Sequence, residues 1–152
     1  MTRQTELSSL EDHLGYWLRY VSNHVSHAFA LKLAGSGVTV AEWVVLRELY
    51  DSESAPSTLA DRLGMTRGAI SKLADRLIAK DMIVRRANAS DGRFQSLALT
   101  RRGRAITPQL AALADENDAE FFADIDIETR ERIATALKDV VRVKRLRGAP
   151  VD

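Results

Sequence analysis

The chain of 152 residues has no cysteine, only three histidines and no long hydrophobic run. Without cysteine it can form no disulfide, no thiol redox switch and no thiolate-bound metal site. No stretch approaches the roughly 18 consecutive apolar residues that a membrane span needs, and residues 1–9 are mostly polar. We therefore expect a soluble, unprocessed protein of the reducing cytoplasm, with no membrane partner.

The residue patterns on which enzymes depend are also missing. The sequence contains no glycine-rich phosphate loop and no G-x-S-x-G motif. Its three histidines, His13, His24 and His27, all lie in one predicted helix, so no pair of nucleophile and base can be assembled with them. We expect neither enzymatic activity nor a cofactor.

The same histidines keep a metal-responsive regulator open as an alternative. His24 and His27 are three residues apart and His13 lies three turns earlier, so the three imidazoles can share one face of a helix. A zinc site needs about four ligands in register, and no histidine follows Phe29. The sequence therefore predicts no metal site.

Charge is strongly segregated along the chain, although the net charge is only +1. Residues 57–104 contain eleven Lys or Arg and four Asp or Glu, so this segment carries +7 and the remainder carries −6. A polyanion is attracted to such a segment and repelled by the rest, a pattern typical of nucleic-acid binding. Taken alone, the charge also fits an ordinary solvated surface.

Apolar residues at helical spacing predict long helices before and after this basic segment. Residues 7–33 form one amphipathic stripe, with a capping box at Ser8 and Glu11. A second capping box begins another helix at Thr39 that runs to about residue 50.

At the end of the segment, Thr100 begins a helix in which Pro108 predicts a kink or a restart, and Asp126 caps the last helix. One small lobe cannot easily cover all these stripes. The terminal helices of two copies packing about a two-fold axis would cover them, and a monomeric helical bundle is the alternative.

A helix-turn-helix is predicted inside the basic segment. Ser57 or Thr58 can cap a short helix, Gly64 suits its left-handed end, and Thr66 caps a helix that runs to about residue 80. In this motif the second helix enters the major groove of DNA. Its core-facing residues are predicted to be Ile70, Leu73, Leu77 and Ile78.

This second helix carries most of the candidate DNA-binding residues. Its first turn exposes free N–H groups that suit a phosphate, and Arg67, Ser71 and Lys72 project from one side. An arginine that bonds guanine in bidentate fashion adds about 1 to 3 kcal/mol of discrimination. We assign DNA binding on this helix to Thr66, Arg67, Gly68, Ala69, Ser71, Lys72 and Arg76.

A β-hairpin is predicted next, with strands at 83–86 and 95–99 around a loop of small and polar residues. The string D-G-R-x-x-x-L-x-L-T-x-x-G begins in that loop at Asp91 and ends at Gly103. It closely resembles the wing signature of the MarR family of bacterial transcriptional regulators. The resemblance implies that Asp91 and Gly92 shape a wing and that Arg93 enters the minor groove.

The resemblance also implies an architecture. The expected fold is mainly α with a small β-hairpin, in one unit of residues 1–152. A winged helix-turn-helix lobe of 39–103 would hold the recognition helix at 66–80 and the wing at 83–99. The helices in 7–34 and 104–147 would form the dimerisation domain.

The implied function is that of a sequence-specific regulator of transcription. A ligand-responsive repressor that binds a pseudo-palindromic operator on double-stranded DNA as a homodimer is the leading interpretation. A non-specific architectural DNA-binding protein, a metal-responsive regulator and a protein-interaction module are the alternatives, although the basic residues argue against the last.

Members of the family commonly respond to small aromatic or phenolic acids, bound where the dimer helices meet the winged lobe. The candidate lining residues for such an effector are His13, Trp17, Tyr20 and Trp43. The alternative is that Trp17 and Trp43 are core residues, as aromatic residues on apolar stripes usually are.

Overall fold

The computed structural model describes residues 6–88 and 91–148, and the side chains of residues 88 and 91–94 lie outside the description. In these residues it has six α-helices and one β-hairpin, which confirms the predicted fold class. The elements, in order, are α1 (Leu14–Leu33), α2 (Val40–Asp51), α3 (Pro56–Leu63), α4 (Arg67–Ala79), β1 (Ile83–Asn88), β2 (Asp91–Leu99), α5 (Arg101–Phe121) and α6 (Ile127–Lys144).

The first helix begins later than the sequence predicts. Instead of one helix from Leu7, the short segment Leu10–Asp12 forms a separate 3-10 turn. The N–H and hydroxyl of Ser9 both donate to the carboxylate of Asp12, at 2.8 and 3.0 Å. His13 is extended, at φ −102° and ψ 121°, and separates this turn from α1. These local hydrogen bonds satisfy the polar groups of residues 9–12 in place of the bonds of a continuous helix.

The helix-turn-helix is built as the sequence predicts, except at the start of α3. That helix begins at Pro56 rather than after a serine or threonine cap, because proline at the first helical position has its φ already set. Gly64 ends α3 in the left-handed region, at φ 63°. The hydroxyl of Thr66 accepts the N–H of Ala69 at 3.0 Å and thereby caps α4.

The hydrophobic core lies behind α4 and determines how that helix is oriented. Ile70 and Leu77 of α4 have no exposed surface, and the same is true of Leu46 of α2, Leu59 of α3 and Leu97 of β2. Burying one such side chain contributes about 1.5 to 3 kcal/mol. The inner face of α4 is therefore held by every neighbouring element, and its outer face is left in solvent.

The two strands of the hairpin run further than predicted. They pair in antiparallel fashion from Ile83 opposite Leu99 to Asn88 opposite Asp91, with an irregularity at Ala87. The predicted loop of residues 87–94 is therefore too long. Low strand propensity suggested a loop there, but the backbone hydrogen bonds of the hairpin continue through these residues. Leu97 also exchanges two backbone hydrogen bonds with Ser54, at 3.1 and 2.8 Å, which join the hairpin to the segment before α3.

The predicted restart at Pro108 is wrong, because α5 is a single helix across it. Pro108 removes one hydrogen bond, but the neighbouring Thr107 is buried and its hydroxyl donates to the carbonyl of Gly103 at 2.7 Å. Packing then outweighs the lost bond, since Leu110 is buried and the amide of Asn117 reaches the Val25 carbonyl of α1 at 3.3 Å.

An ion pair also joins α1 to α5. The ammonium of Lys32 lies 2.6 Å from the carboxylate of Glu120 and 3.7 Å from that of Glu116. The hydrogen bond from Lys32 lowers the pKa of Glu120 below its ordinary value, and the hydrogen bond from Glu120 raises the pKa of Lys32.

The last helix, α6, has no buried residue. Asp126 caps it as predicted, by accepting the N–H of Thr129 at 2.8 Å. Its apolar side chains remain in solvent, with Leu137 43% and Val140 52% exposed. Of the helices in the described residues, none combines the length and the apolar character that crossing a bilayer would require.

A buried ion pair fixes the C-terminal end of α4. Glu42 of α2 is 1% exposed, and its carboxylate lies 2.6 Å from the ammonium of Lys80, which caps α4. The same ammonium donates to the carbonyl of Gly37 at 2.6 Å. Lys80 therefore neutralises a buried carboxylate and holds the end of α4 against the start of α2.

We predict that Lys80→Met lowers the free energy of unfolding by about 3 kcal/mol, because the buried carboxylate of Glu42 loses its cation. Lys72→Met is the matched control: Lys72 lies on the exposed side of the same helix, where substitutions change stability by about 0.5 kcal/mol or less. Urea unfolding of both variants measures the difference. Equal stability of the two variants would contradict this role of Lys80.

Candidate nucleic-acid interface

The outer side of α4 presents a continuous polar surface. Arg67, Ser71, Lys72 and Arg76 are all exposed, as are Thr66 and Gly68, while Ala69 is half-buried. They lie opposite the buried residues Ile70, Leu73 and Leu77. The structure thus brings the α4 residues selected from the sequence onto one accessible side of one helix.

The N-terminal end of α4 has free backbone donors. The cap hydroxyl of Thr66 accepts only the N–H of Ala69, so the amides of Arg67 and Gly68 are left for an external acceptor. A Cβ added at Gly68 would meet only the Thr66 hydroxyl, at 4.0 Å. The space outside this turn is therefore open, and its N–H groups and helix dipole favour an anion there.

Several cations of the basic segment are engaged within the chain. Arg62 lies 2.9 Å from Glu48, and Arg85 lies 2.7 Å from Asp75. Lys80 is held by Glu42, as described above, and Arg86 lies 3.5 Å from Glu53. The eleven basic side chains of residues 57–104 therefore overstate the charge that is available to a partner.

The cations on α4 itself are different. Within the part of the chain that the structure describes, Arg67, Lys72 and Arg76 form no ion pair with a carboxylate. The exposed side of α4 therefore carries uncompensated positive charge, and Arg101 and Arg102 at the start of α5 likewise form no ion pair among the described residues. The charge on α4 adds to the positive, N-terminal end of its helix dipole.

The sequence did not predict which of these basic residues form ion pairs with acidic residues. Asp75 lies on the exposed side of α4, and its carboxylate binds Arg85 of β1, which joins the hairpin to this helix. The partners are separated by 10 residues in this pair and by 14 in the pair of Glu48 with Arg62. No periodic pattern reports such pairs, since they depend on how the elements pack.

The wing residues lie at the edge of what is described. Asp91, Gly92 and Arg93 belong to β2 by their backbone, although a loop was predicted there. Their side chains lie outside the described residues. The roles of Asp91 and Gly92 in shaping the wing and of Arg93 in the minor groove therefore stay predictions.

The four candidate effector residues fall into two environments. His13, Trp17 and Tyr20 are exposed at or just before the start of α1, and the rings of Trp17 and Tyr20 are 6.4 Å apart. Trp43 is only 9% exposed and packs edge-on against Phe29 in the core. The interpretation as core is therefore right for Trp43 and wrong for Trp17, which is 44% exposed.

Two of the three histidines contact residues close to them in the sequence. The ring Nδ1 of His13 lies 2.8 Å from the Ser9 carbonyl, and the ring of His24 stacks on Tyr20 at 4.8 Å. In residues 6–88 and 91–148, no three His, Asp or Glu side chains are grouped so that they could hold a metal ion.

Comparison with known proteins shows which regulators this arrangement is similar to. The family model described as "MarR family" matches residues 36–93, which include the helix-turn-helix and most of the hairpin. The HTH-type transcriptional repressor YetL of Bacillus subtilis is 30% identical over 92 residues, which are 59% of this chain. The alignment spans only 55% of YetL.

Solved structures are similar over most of the chain. A probable transcriptional regulator from Pseudomonas aeruginosa has a TM-score of 0.79 and 27% identity, over 87% of this chain and 99% of its own. A mutant MarR from E. coli, complexed with operator DNA, has a TM-score of 0.79 and 25% identity, over 84% and 93%.

A third structure carries a small molecule. The MarR family protein RV2887 of Mycobacterium tuberculosis, in complex with salicylic acid, has a TM-score of 0.68 and 27% identity, over 84% of this chain and 96% of its own. The fold, the family model and these relatives agree on a regulator of transcription rather than an enzyme. Over residues 36–93 the chain is similar to the MarR family of transcriptional regulators, and its overall fold is similar to solved structures of such regulators.

Proposed function

We propose that the protein is a repressor that binds a pseudo-palindromic operator as a homodimer and releases it when a small aromatic acid binds. The observation that carries the proposal is the exposed side of α4, where Arg67, Lys72 and Arg76 are unpaired within the described residues while neighbouring cations are engaged. The lobe of residues 39–103 would bind DNA, and the helices in 7–34 and 104–147 would join two copies.

The geometry of α4 favours docking in a major groove. Its first turn offers free N–H groups to a phosphate, and Arg67 and Ser71 follow one turn apart on the accessible side. Gly68 lets the DNA backbone approach because nothing fills the space outside it. Arg76, two turns further on, is placed for a phosphate rather than a base edge. The operator complex of the E. coli relative supports operator DNA as the partner.

We predict that Arg67→Ala weakens operator binding by about 1 to 3 kcal/mol per half-site, because one charged contact to a base edge or phosphate is lost. Fluorescence anisotropy with a palindromic duplex, whose half-sites are about 10 base pairs apart, measures the affinity. Arg47→Ala is the matched control: it removes the same charge from α2, where Arg47 is already bound to Asp51 at 2.9 Å.

A scrambled duplex in the same assay separates specific from architectural binding. A regulator binds the palindrome more tightly at physiological salt, and only that preference falls with Arg67→Ala. If the palindrome and the scrambled duplex bind equally, the protein coats DNA without reading its sequence and the proposal is wrong.

Uncovered apolar surface supports the dimer. On α6, Ile133, Leu137 and Val140 follow one another at helical spacing and are 46%, 43% and 52% exposed. On α1, Leu14 and Val21 are 74% and 41% exposed. Soluble monomers rarely leave contiguous apolar surfaces of this kind in water. A second copy of the chain, related by a two-fold axis, would cover both helices.

We predict that the protein has twice the monomer mass of 16.9 kDa in solution and that Leu137→Glu makes it monomeric, because a carboxylate cannot be buried unpaired in an apolar interface. Light scattering after gel filtration measures the mass. Thr135→Glu is the control, since Thr135 lies on the polar side of α6 with Glu131 and Asp139. A monomeric wild type, or a dimeric Leu137→Glu variant, would contradict the dimer.

The effector is proposed from the family and from the exposed aromatic residues at the start of α1. Trp17 and Tyr20 are adjacent and accessible, and Trp17 anchors the preceding turn through a 2.8 Å hydrogen bond to the Glu11 carbonyl. The salicylic acid complex of the Mycobacterium tuberculosis relative supports an aromatic acid. Of the other two candidate residues, His13 is exposed just before α1 and would complete the site, whereas Trp43 packs in the core and is not part of it.

We predict that salicylic acid at millimolar concentration releases the operator and that Trp17→Ala abolishes the release without changing DNA affinity, because the acid loses the ring it packs against. Anisotropy of the preformed complex measures the release. Cyclohexanecarboxylic acid, with the same charge and no aromatic ring, is the control. An equal effect of both acids, or no effect of either, would refute an aromatic effector.

A further inference from the structure

The residues that follow α6 return to the helix-turn-helix of the same chain. We call residues 145–148 the C-terminal turn. The N–H of Gly148 donates to the carbonyl of Asp61 on α3 at 3.3 Å. Although α6 itself buries nothing, its C-terminal end is therefore attached to the DNA-binding lobe.

Two left-handed residues shape this turn. Arg145 has φ 52° and ends α6 by donating its N–H to the carbonyls of Val141 and Arg142. Gly148 has φ 56° and lies against the turn between α3 and α4: a Cβ placed on it would be 3.6 Å from the Asp61 carboxylate and 3.8 Å from the Met65 carbonyl. The conformation at Gly148 suits glycine, since an L side chain is strained there.

This contact places Arg147 beside the start of α4. Met65, which Gly148 approaches, directly precedes the cap residue Thr66. Arg147 is the residue before Gly148 and is exposed. The backbone of Arg147 is thus held next to the turn that precedes α4, and its exposed side chain is within the same region of the surface.

Most basic side chains of this segment have no acidic partner among the described residues. Within the described residues, Arg145, Arg147 and the preceding Lys144 form no ion pair, whereas Arg142 is held by Asp139 at 3.2 Å. The carbonyls of Val141 and Arg142 near the end of α6 are already satisfied by the N–H groups of Arg145 and Leu146, the latter at 3.0 Å from Val141. Cations held near the positive end of a helix are repelled by it until a polyanion binds across them.

We propose that the C-terminal turn is part of the DNA interface, with Arg147, supported by Arg145, contacting a phosphate of the DNA backbone beside the N-terminal end of α4. The inference rests on the proposed DNA-binding function and extends it to a segment that follows the dimerisation helices. The contact is electrostatic and carries no sequence information, so it adds affinity for every duplex.

The test is the salt dependence of DNA binding by the full chain. One phosphate contact contributes about 0.9 to the slope of log affinity against log salt. Arg147→Ala should therefore lower the slope by about 1.8 for a dimer, equally on palindromic and scrambled duplexes and with an unchanged melting temperature. Arg132→Ala is the matched control, because Arg132 is an exposed arginine earlier in α6 whose guanidinium reaches only Thr129.

A second variant separates the position of the turn from its charge. Gly148→Val keeps every cation but strains the left-handed residue that seats the turn on α3. It should lower the slope by the same amount as Arg147→Ala, and combining the two should produce no further decrease. An additive effect of the two changes would overturn the proposed docking.

The outcomes distinguish this inference from the proposed function. If wild type binds DNA and Arg67→Ala weakens it, while Arg147→Ala matches Arg132→Ala in slope and affinity, the C-terminal turn is not part of the interface and the inference alone fails. If wild type shows no salt-dependent DNA binding, the proposed function fails and the inference fails with it.

Discussion

The structure depends on the burial of one face of α4. Ile70 and Leu77 are fully enclosed by residues from α2, α3 and the hairpin, and the ion pair of Lys80 with Glu42 closes the C-terminal end of the same helix. A helix held on one side by apolar contacts and at one end by a buried charge has little freedom to rotate. The position of every side chain on its outer face follows from that constraint.

Acidic residues then determine where the positive charge is available. Glu48, Glu53 and Asp75 engage three arginines of the basic segment, and the buried carboxylate of Glu42 engages a lysine. Among the described cations that form no ion pair, Arg67, Lys72 and Arg76 lie on the outer side of α4, and Arg145 and Arg147 follow α6. The net charge of the segment therefore indicates a polyanionic partner, while its distribution indicates which surface meets that partner.

The helices outside the lobe show the opposite situation, in which apolar surface is left without a partner. The stripe of α6 is as regular as that of α4, yet no residue of α6 is buried in the single chain. Burial stabilises the apolar residues of both helices to the same degree per unit area. The two helices differ in burial because the lobe has only enough surface to cover α4 and part of α1 and α5. This exposed apolar surface is what the proposed dimer would cover.

Local chemistry determined most of the fold from sequence. The Thr39, Thr66 and Asp126 caps, the left-handed Gly64 and the apolar periods are short-range signals, and the family string adds the hairpin. Sequence failed where tertiary contacts compete with local preference: Pro108 is carried inside a helix by packing, the strands extend into a polar loop, and Ser9 rather than its neighbour caps the first turn. The division of the arginines into paired and unpaired, the different environments of Trp17 and Trp43, and the seating of Gly148 on α3 required the three-dimensional structure, because each depends on distances between residues far apart in the chain.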